Sequence, residues 1–216
     1  MTHFSEHSTR LPVETSTPKT LDALVEGVRG LNEVVAIRLP AMPNSSEHAN
    51  HLVDSGKIVT EAARALGPEA TLVVLGEIVD LVRVLDAVDS SVRYQHWVAI
   101  RRKTPIDLGS RFITHGHFGM LILTRYKQSL RHTITRIAYT YCPICNRTTK
   151  DYGGKKHTYH EGGTALSDVW RDIQVDLDGE LEPVYTRLAD LFGLEPYKLL
   201  RVMDLTEFSL SRAPDK

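Results

Sequence analysis

The sequence predicts an α/β domain built on a parallel-rich sheet. Short runs of β-branched and aliphatic residues alternate with longer segments whose apolar residues recur at helical spacing. The 216 residues are 42% hydrophobic and 25% charged, which is typical of a globular domain. No apolar run approaches the roughly 18 residues that a membrane-spanning helix requires. We therefore expect one main domain, with room for an inserted subdomain.

The first half of the chain contains three predicted helices and two predicted buried strands. Gly30 and the dipeptide Gly67-Pro68 are stop signals for the first two helices. The helices span residues 21–31, 46–66 and 78–88, and the strands span residues 33–39 and 71–75. The residues predicted to form the buried face of the third helix are Ile78, Val79, Val82 and Leu85.

The second half is predicted to add four strands and one helix. Its strands are rich in β-branched and aromatic residues, and its helix begins at a proline, which is favoured in a first helical turn. The strands cover residues 93–101, 118–126, 134–141 and 199–205, and the helix covers residues 183–192. The alternation of strands and helices favours parallel pairing in the sheet.

The N-terminal segment, residues 1–18, is predicted to be a disordered lead-in. It is polar and lacks the apolar stretch of a secretory signal. We therefore expect a cytoplasmic protein.

Charge is strongly segregated along the chain. The formal net charge is −1, but residues 93–156 contain 13 Lys or Arg and only two acidic residues, Asp107 and Asp151. Both flanking segments are acidic. Such segregation favours a polyanionic partner, or an internal interface between acidic and basic faces.

Residues 142–173, CPICNRTTKDYGGKKHTYHEGGTALSDVWRDI, are the most specific segment of the chain. The two cysteines, Cys142 and Cys145, are followed by His157 and His160, which approximates the ligand spacing of a Cys2His2 zinc site. The histidine spacing is shorter than usual, and the alternative is a reduced cysteine pair with histidines that contact DNA or solvent. Zinc is therefore a predicted cofactor.

The centre of this segment is predicted to contact nucleic acid. Its Gly-Gly turn allows the backbone to approach a phosphate, its lysines neutralise the phosphate, and its tyrosine can stack on a base. The alternative is a hairpin turn with solvated lysines. The predicted DNA-binding residues are Arg101, Arg102, Lys103, Arg147, Lys150, Tyr152, Gly153, Gly154, Lys155 and Lys156.

Residues 142–173 resemble the target-recognition region of the DNA amino-methyltransferases, which modify adenine N6 or cytosine N4. A looser similarity extends over about residues 20–205, in a permuted order in which the catalytic half comes first. The resemblance implies a three-layer, methyltransferase-like (Rossmann-like) α/β sheet, DNA as partner and S-adenosylmethionine as cofactor. It implies a methyltransferase-like domain at residues 19–130 and 175–210, and a recognition insertion resembling a zinc ribbon at residues 131–174.

The catalytic tetrapeptide of that family is replaced here by Leu39-Pro40-Ala41-Met42. In the family, the first residue is Asp, Asn or Ser and accepts a hydrogen bond from the target amine, while the fourth is aromatic and stacks on the extruded base. Leu39 has no acceptor and Met42 has no ring. Because losing one such polar group costs about 3 kcal/mol of transition-state stabilisation, we expect impaired methyl transfer.

The resemblance assigns Asp204 to the cofactor site. In the family, a glycine-rich turn follows this aspartate and lies against S-adenosylmethionine, but no glycine follows Asp204 here. We therefore expect side chains to crowd the cofactor. The chain ends soon afterwards, and we expect the later cofactor-binding strands to be missing or supplied elsewhere.

Three functions fit the sequence. The first is a DNA methyltransferase-like protein that is impaired in methyl transfer or depends on a partner. The second is an inactive DNA-binding recognition subunit, which assists a catalytically intact methyltransferase subunit in a restriction-modification or related system. The third is a zinc-stabilised nucleic-acid-binding module, which the α/β pattern disfavours.

Overall fold

The computed structural model describes residues 13–41, 48–107, 113–125, 130–147, 160–194 and 200–206; for residues 48–54 it describes the backbone alone. Helices and strands alternate through the first half of the chain, whereas the described second half is mostly strands. The helices are α1 (Leu21–Val28), α2 (His48–Ala65), α3 (Ile78–Ala87) and α4 (Glu182–Phe192). The strands are β1 (Val13–Ser16), β2 (Val34–Arg38), β3 (Thr71–Gly76), β4 (Val92–Ile106), β5 (His115–Arg125), β6 (Arg136–Ile137), β7 (Thr164–Ala165), β8 (Val169–Gln174) and β9 (Leu200–Asp204).

Seven strands form one mixed sheet in the order β1-β9-β2-β3-β5-β4-β8. The pairs β1–β9, β9–β2, β2–β3 and β4–β8 are parallel, whereas β5 is antiparallel to both of its neighbours. The predicted α/β class with a parallel-rich sheet is therefore confirmed. A separate antiparallel pair, β6 with β7, stands outside this sheet.

Helices cover both faces of the sheet and produce three layers. Buried side chains of α1, α2 and α3, including Leu24, Val59 and Leu81, form one apolar cluster with one face of the sheet. Buried side chains of α4, including Val184 and Leu188, form the second cluster with the opposite face. Helix α4 ends at Gly193, whose φ of 60° is the left-handed conformation that glycine adopts without strain.

Two strands of the main sheet lie where the sequence predicts something else. Strand β1 lies within the segment predicted to be a disordered lead-in. It is held in the sheet because its backbone pairs with β9 and because Glu14 forms an ion pair with Arg201 at 2.7 Å. Strand β8 lies within the predicted insertion, yet it extends the main sheet, since Trp170 and Ile173 are buried in the core. The sequence does not predict β1 because only one of its four residues is apolar, which gives no alternation of apolar and polar residues.

Two further expectations are wrong in detail. In α3 the buried residues include Leu81 and Val84, while Val79 and Val82 are about half exposed; apolar residues occupy several faces of this helix, so spacing alone does not select one. The predicted strand 134–141 shortens to β6, because Ile134 is 82% exposed and has no core against which to pack.

Among the described residues, none of the helices is both long and apolar enough to cross a bilayer.

Candidate functional site

Leu39, the residue at the predicted reacting position, is part of the hydrophobic core. It directly follows β2, its backbone N–H donates to the carbonyl of Leu75 at 2.8 Å, and its side chain is 1% exposed. A Cβ atom added to Gly76 would lie 3.0 Å from Leu39 Cδ1 and 3.2 Å from Leu81 Cδ2, so the leucine fills the space above the end of β3. Pro40 and Ala41 are half-buried, and Met42 lies outside the described residues.

Asp204, the predicted cofactor residue, is engaged by Arg38. The two residues are register partners at the carboxyl ends of β9 and β2, and Arg38 Nη1 donates to Asp204 Oδ2 at 3.0 Å. The guanidinium also donates to the carbonyls of Leu177 at 2.9 Å and Gly179 at 3.3 Å. The second carboxylate oxygen of Asp204 accepts the backbone N–H of Thr206 at 3.0 Å. Arg38 therefore closes the sheet edge between these strands.

Tyr185 of α4 lies beside this ion pair in an apolar setting. Burial raises the pKa of its hydroxyl to about 12; the positive charge of Arg38 opposes the rise, and the negative charge of Asp204 adds to it. The side chain is 7% exposed. Tyr185 therefore remains neutral near pH 7 and supplies no base at this edge.

A second buried ion pair, between Arg102 and Glu77, lies at the same edge. Glu77 directly follows β3, and the guanidinium of Arg102 on β4 pairs with its carboxylate and lies 5.6 Å from the ring centroid of Phe118. Arg102 is 4% exposed. Its charge is already paired inside the fold, so the position of Arg102 does not favour the predicted contact with DNA.

The neighbours of Arg102 on β4 are placed differently. Strand side chains alternate between the two faces, so Arg101 and Lys103 are exposed while Arg102 is buried. Ala99 of β4 is level with the end of β3, because Ala99 pairs with Gly119 and Gly119 pairs with Gly76. Arg101 and Lys103 follow Ala99 along β4, so they lie beyond the sheet edge that carries Leu39. Arg147 is also exposed.

The remaining predicted DNA contacts, Lys150, Tyr152, Gly153, Gly154, Lys155 and Lys156, lie outside the described residues. Not every cation of the basic region faces solvent. Arg125, for example, donates from Nη1 to the carbonyls of Ala63 and Arg64 at the end of α2, at 2.8 Å and 2.9 Å.

Cys142 and Cys145 lie on one tight turn. The N–H of Asn146 donates to the carbonyl of Cys142 at 2.8 Å, and Asn146 adopts a φ of 51°. Hydrogen bonds from the backbone of Cys145 and Ile144, and from the Cys145 side chain, lower the pKa of the Cys142 thiol. Such bonds favour the thiolate, which is the form that binds metals.

The predicted histidine ligands do not complete a zinc site in the described part of the chain. His160 is exposed and its Nδ1 accepts the N–H of Gly162 at 3.0 Å, while His157 lies outside the described residues. No group of three or more potential ligands converges among the residues that the structure describes. Zinc therefore stays a prediction.

Comparison with known proteins supplies a relative. The chain is 26% identical over 117 residues to the Type II methyltransferase M.BamHI of Bacillus amyloliquefaciens, a match that covers 54% of this chain and 27% of that protein. The crystal structure of M1.HpyAVI superposes with a TM-score of 0.50 at 7% identity, over 90% of this chain and 92% of that one. Over about half of its length, the chain is similar to a DNA methyltransferase. Its seven-stranded sheet is the methyltransferase-like fold.

The M1.HpyAVI–SAM complex gives a TM-score of 0.48 at 8% identity and covers 90% of this chain and 96% of that one. No family model matches the sequence. The match to M.BamHI spans only about a quarter of that protein.

S-adenosylmethionine, the cofactor that the resemblance implies, does not fit the described residues at the end of β9. Both carboxylate oxygens of Asp204 already accept hydrogen bonds, one from Arg38 and one from Thr206. The side chain of Leu205 is 1% exposed and packs in the core. A ligand at the carboxyl ends of parallel strands needs backbone that it can approach, and here an ion pair covers that place.

Sequence reasoning did not identify Arg38 or Glu77 as residues near the candidate site. The sequence does contain a sign that Arg38 is paired. Arg38 is the last residue of the buried strand VVAIR, and a charge in that position needs a partner at the sheet edge. Nothing local identifies that partner, since Asp204 is 166 residues away in sequence.

Proposed function

We propose that this DNA methyltransferase relative binds DNA through its basic region and does not transfer a methyl group by itself. The observation that carries the proposal is the burial of Leu39. The residue at the reacting position packs in the core, where it offers no acceptor to a target amine. The nearby carboxylate of Asp204 cannot take over that role, because Arg38 neutralises it.

The DNA-binding part of the proposal rests on charge and exposure. Residues 93–156 have a net charge of +11 when histidines are counted as neutral, and Arg101, Lys103 and Arg147 are exposed. Lysine and arginine contacts to phosphates supply most of the non-specific affinity for DNA. We assign target recognition to the region 131–174, in which the separate β6–β7 pair and the cysteine turn stand outside the main sheet.

A second function is an inactive recognition subunit that assists a catalytically intact methyltransferase chain, in a restriction-modification or related system. The occupied edge at Asp204 favours it, because the cofactor would then have to bind on the partner. The target, adenine N6 or cytosine N4, would be set by the partner's pocket and by the bases that this chain selects.

Methyl transfer from labelled S-adenosylmethionine to plasmid DNA tests both functions. We expect no incorporation by this chain alone, salt-dependent DNA binding in a retardation assay, and no cofactor binding in equilibrium dialysis. Incorporation by the isolated chain would overturn the proposal. An active amino-methyltransferase assayed in parallel provides the positive control.

The partner hypothesis needs one more reaction, in which the chain is mixed with the product of a neighbouring gene that carries an intact catalytic tetrapeptide. A rise in that enzyme's incorporation on adding this chain supports the subunit function. An unchanged rate, with DNA binding retained, contradicts it.

A further inference from the structure

An open cleft of about 780 Å³ lies between the cysteine turn and strand β8. One wall is formed by the segment 137–143 with Arg147, and the other is formed by β7 and the outer face of β8. It is separate from the edge that carries Leu39 and Asp204, so the candidate catalytic position does not account for it. Its volume is in the range of sites for small molecules, which suits one or two nucleotides and is too small for a duplex.

Aromatic rings contribute to the first wall. Tyr139 is half-buried and Tyr141 is 52% exposed, and both line the cleft. A tyrosine at the edge of an open cleft offers a flat apolar face. Stacking of a base on such a ring is worth about 1–3 kcal/mol and tolerates any base, because every base has a π-face.

The charge of the cleft favours a phosphate. Arg147 and Arg171 are exposed on its walls. The carboxylate that lines it, Asp172, pairs with Arg187 at 2.6 Å, and Arg187 in turn lies 5.5 Å from the ring centroid of Trp170. Burial opposes ionisation of Asp172, but the hydrogen bond to Arg187, the positive charge of Arg187 and a backbone hydrogen bond together outweigh burial and lower the pKa of this carboxyl. The carboxylate is therefore already neutralised.

The cleft also continues the proposed DNA-binding surface. Strand β8, which carries Arg171, pairs in parallel with β4, which carries Arg101 and Lys103. The exposed cations of β4 and Arg171 of β8 therefore lie on adjacent strands, next to the cleft.

We propose that this cleft binds an unpaired nucleotide of DNA, with its base against Tyr139 or Tyr141 and its phosphates beside Arg147 and Arg171. The inference rests on the proposed function, in that it requires the chain to bind DNA. It adds a substrate class, which is DNA with an unstacked base or a short single-stranded segment.

Fluorescence anisotropy with three labelled DNA probes tests the proposal: a duplex, the same duplex with one unpaired thymine, and the single strand alone. We expect the parent protein to bind the two probes with unpaired bases about tenfold more tightly than the duplex. The double variant Tyr139→Ala/Tyr141→Ala should lose this preference and keep its duplex affinity. Tyr139→Phe/Tyr141→Phe should keep both, because the rings remain.

Tyr94→Ala is the matched control, since Tyr94 is 49% exposed on β4 but does not line the cleft. It should leave the preference unchanged, and circular dichroism checks that every variant is folded. A parent protein that binds duplex without preferring unpaired bases overturns the cleft proposal and leaves the proposed function intact. So does a folded double alanine variant that keeps the preference. Failure to bind any of the three probes overturns the proposed function itself.

Discussion

Arg38 and Asp204 form a largely buried ion pair, with Nη1 3.0 Å from Oδ2 and side chains that are 14% and 12% exposed. The pair joins the carboxyl ends of two adjacent parallel strands, where ligands bind in open α/β sheets. Here the protein's own guanidinium occupies that place and also holds two carbonyls of the 175–180 connection. The edge is thus closed by hydrogen bonds within the chain.

Removing Arg38 should destabilise the fold severely. Arg38→Ala leaves the carboxylate of Asp204 buried without its partner, and breaking a buried pair in this way costs about 3–5 kcal/mol. The free energy of unfolding from urea titration measures the loss. The double variant Arg38→Met/Asp204→Asn should recover part of it, because no charge is then left unpaired. A stability for Arg38→Ala within about 0.5 kcal/mol of the parent would contradict this account.

Restoring a polar residue at position 39 should weaken the protein without restoring activity. Leu39→Ser removes a buried side chain from the core and should cost about 2–5 kcal/mol of stability in denaturant titration. Ala41→Ser, at a half-buried position, is the control and should cost much less. Methyl transfer by Leu39→Ser, at parental stability, would show that residue 39 faces a working site.

Three consecutive residues of β4 should respond differently in DNA binding. Arg101→Ala and Lys103→Ala should each weaken binding and reduce the slope of log K against log salt by about 1. Arg102→Met combined with Glu77→Gln should leave that slope unchanged, because this pair is buried. Retardation titrations at two salt concentrations measure the slopes. An equal reduction in all three would refute the surface assignment.

Acid should weaken the contact between α2 and the loop after α3. Hydrogen bonds from the side chain and backbone of Ser91, followed by the bond from Arg64, lower the pKa of Asp89 to about 2. An unperturbed aspartate titrates near 3.9, so the contribution of Asp89 to stability is present above about pH 4 and is lost as the pH falls toward 2.

The stability difference between the parent and Asp89→Asn should therefore shrink over this acid range, as measured by denaturant titration at several pH values. Ser91→Ala, which removes the largest cause of the shift, should reproduce part of the change. A difference that does not vary with pH would exclude Asp89 as the titrating group.

The cysteine turn predicts a metal content that can be measured directly. If Cys142 and Cys145 are zinc ligands, elemental analysis of the purified protein should give about one zinc per chain, and Cys142→Ser/Cys145→Ser should abolish it. His157→Ala and His160→Ala then test the two histidines separately. A folded protein with no zinc above background would leave the cysteines as a reduced pair.

The strands VVAIR and TLVVLG and the helix that begins near Pro183 follow directly from local sequence. The two strands are short β-branched runs, and the helix has apolar residues at helical spacing after a proline, so local sequence favours the element that forms. The β1 strand and the orientation of α3 did not follow. The first depends on pairing with β9, far away in sequence, and the second depends on which of several apolar faces meets the sheet.

The sequence by itself determined the fold class and the segregation of charge, because these follow from residue order alone. Only the tertiary structure decided that Leu39 belongs to the core, that Arg38 closes the edge at Asp204 and that Arg102 is withdrawn from the surface. Burial and ion pairing join residues that are distant in the chain, so the partner of a charge is fixed by the packing of the strands and not by its sequence neighbours.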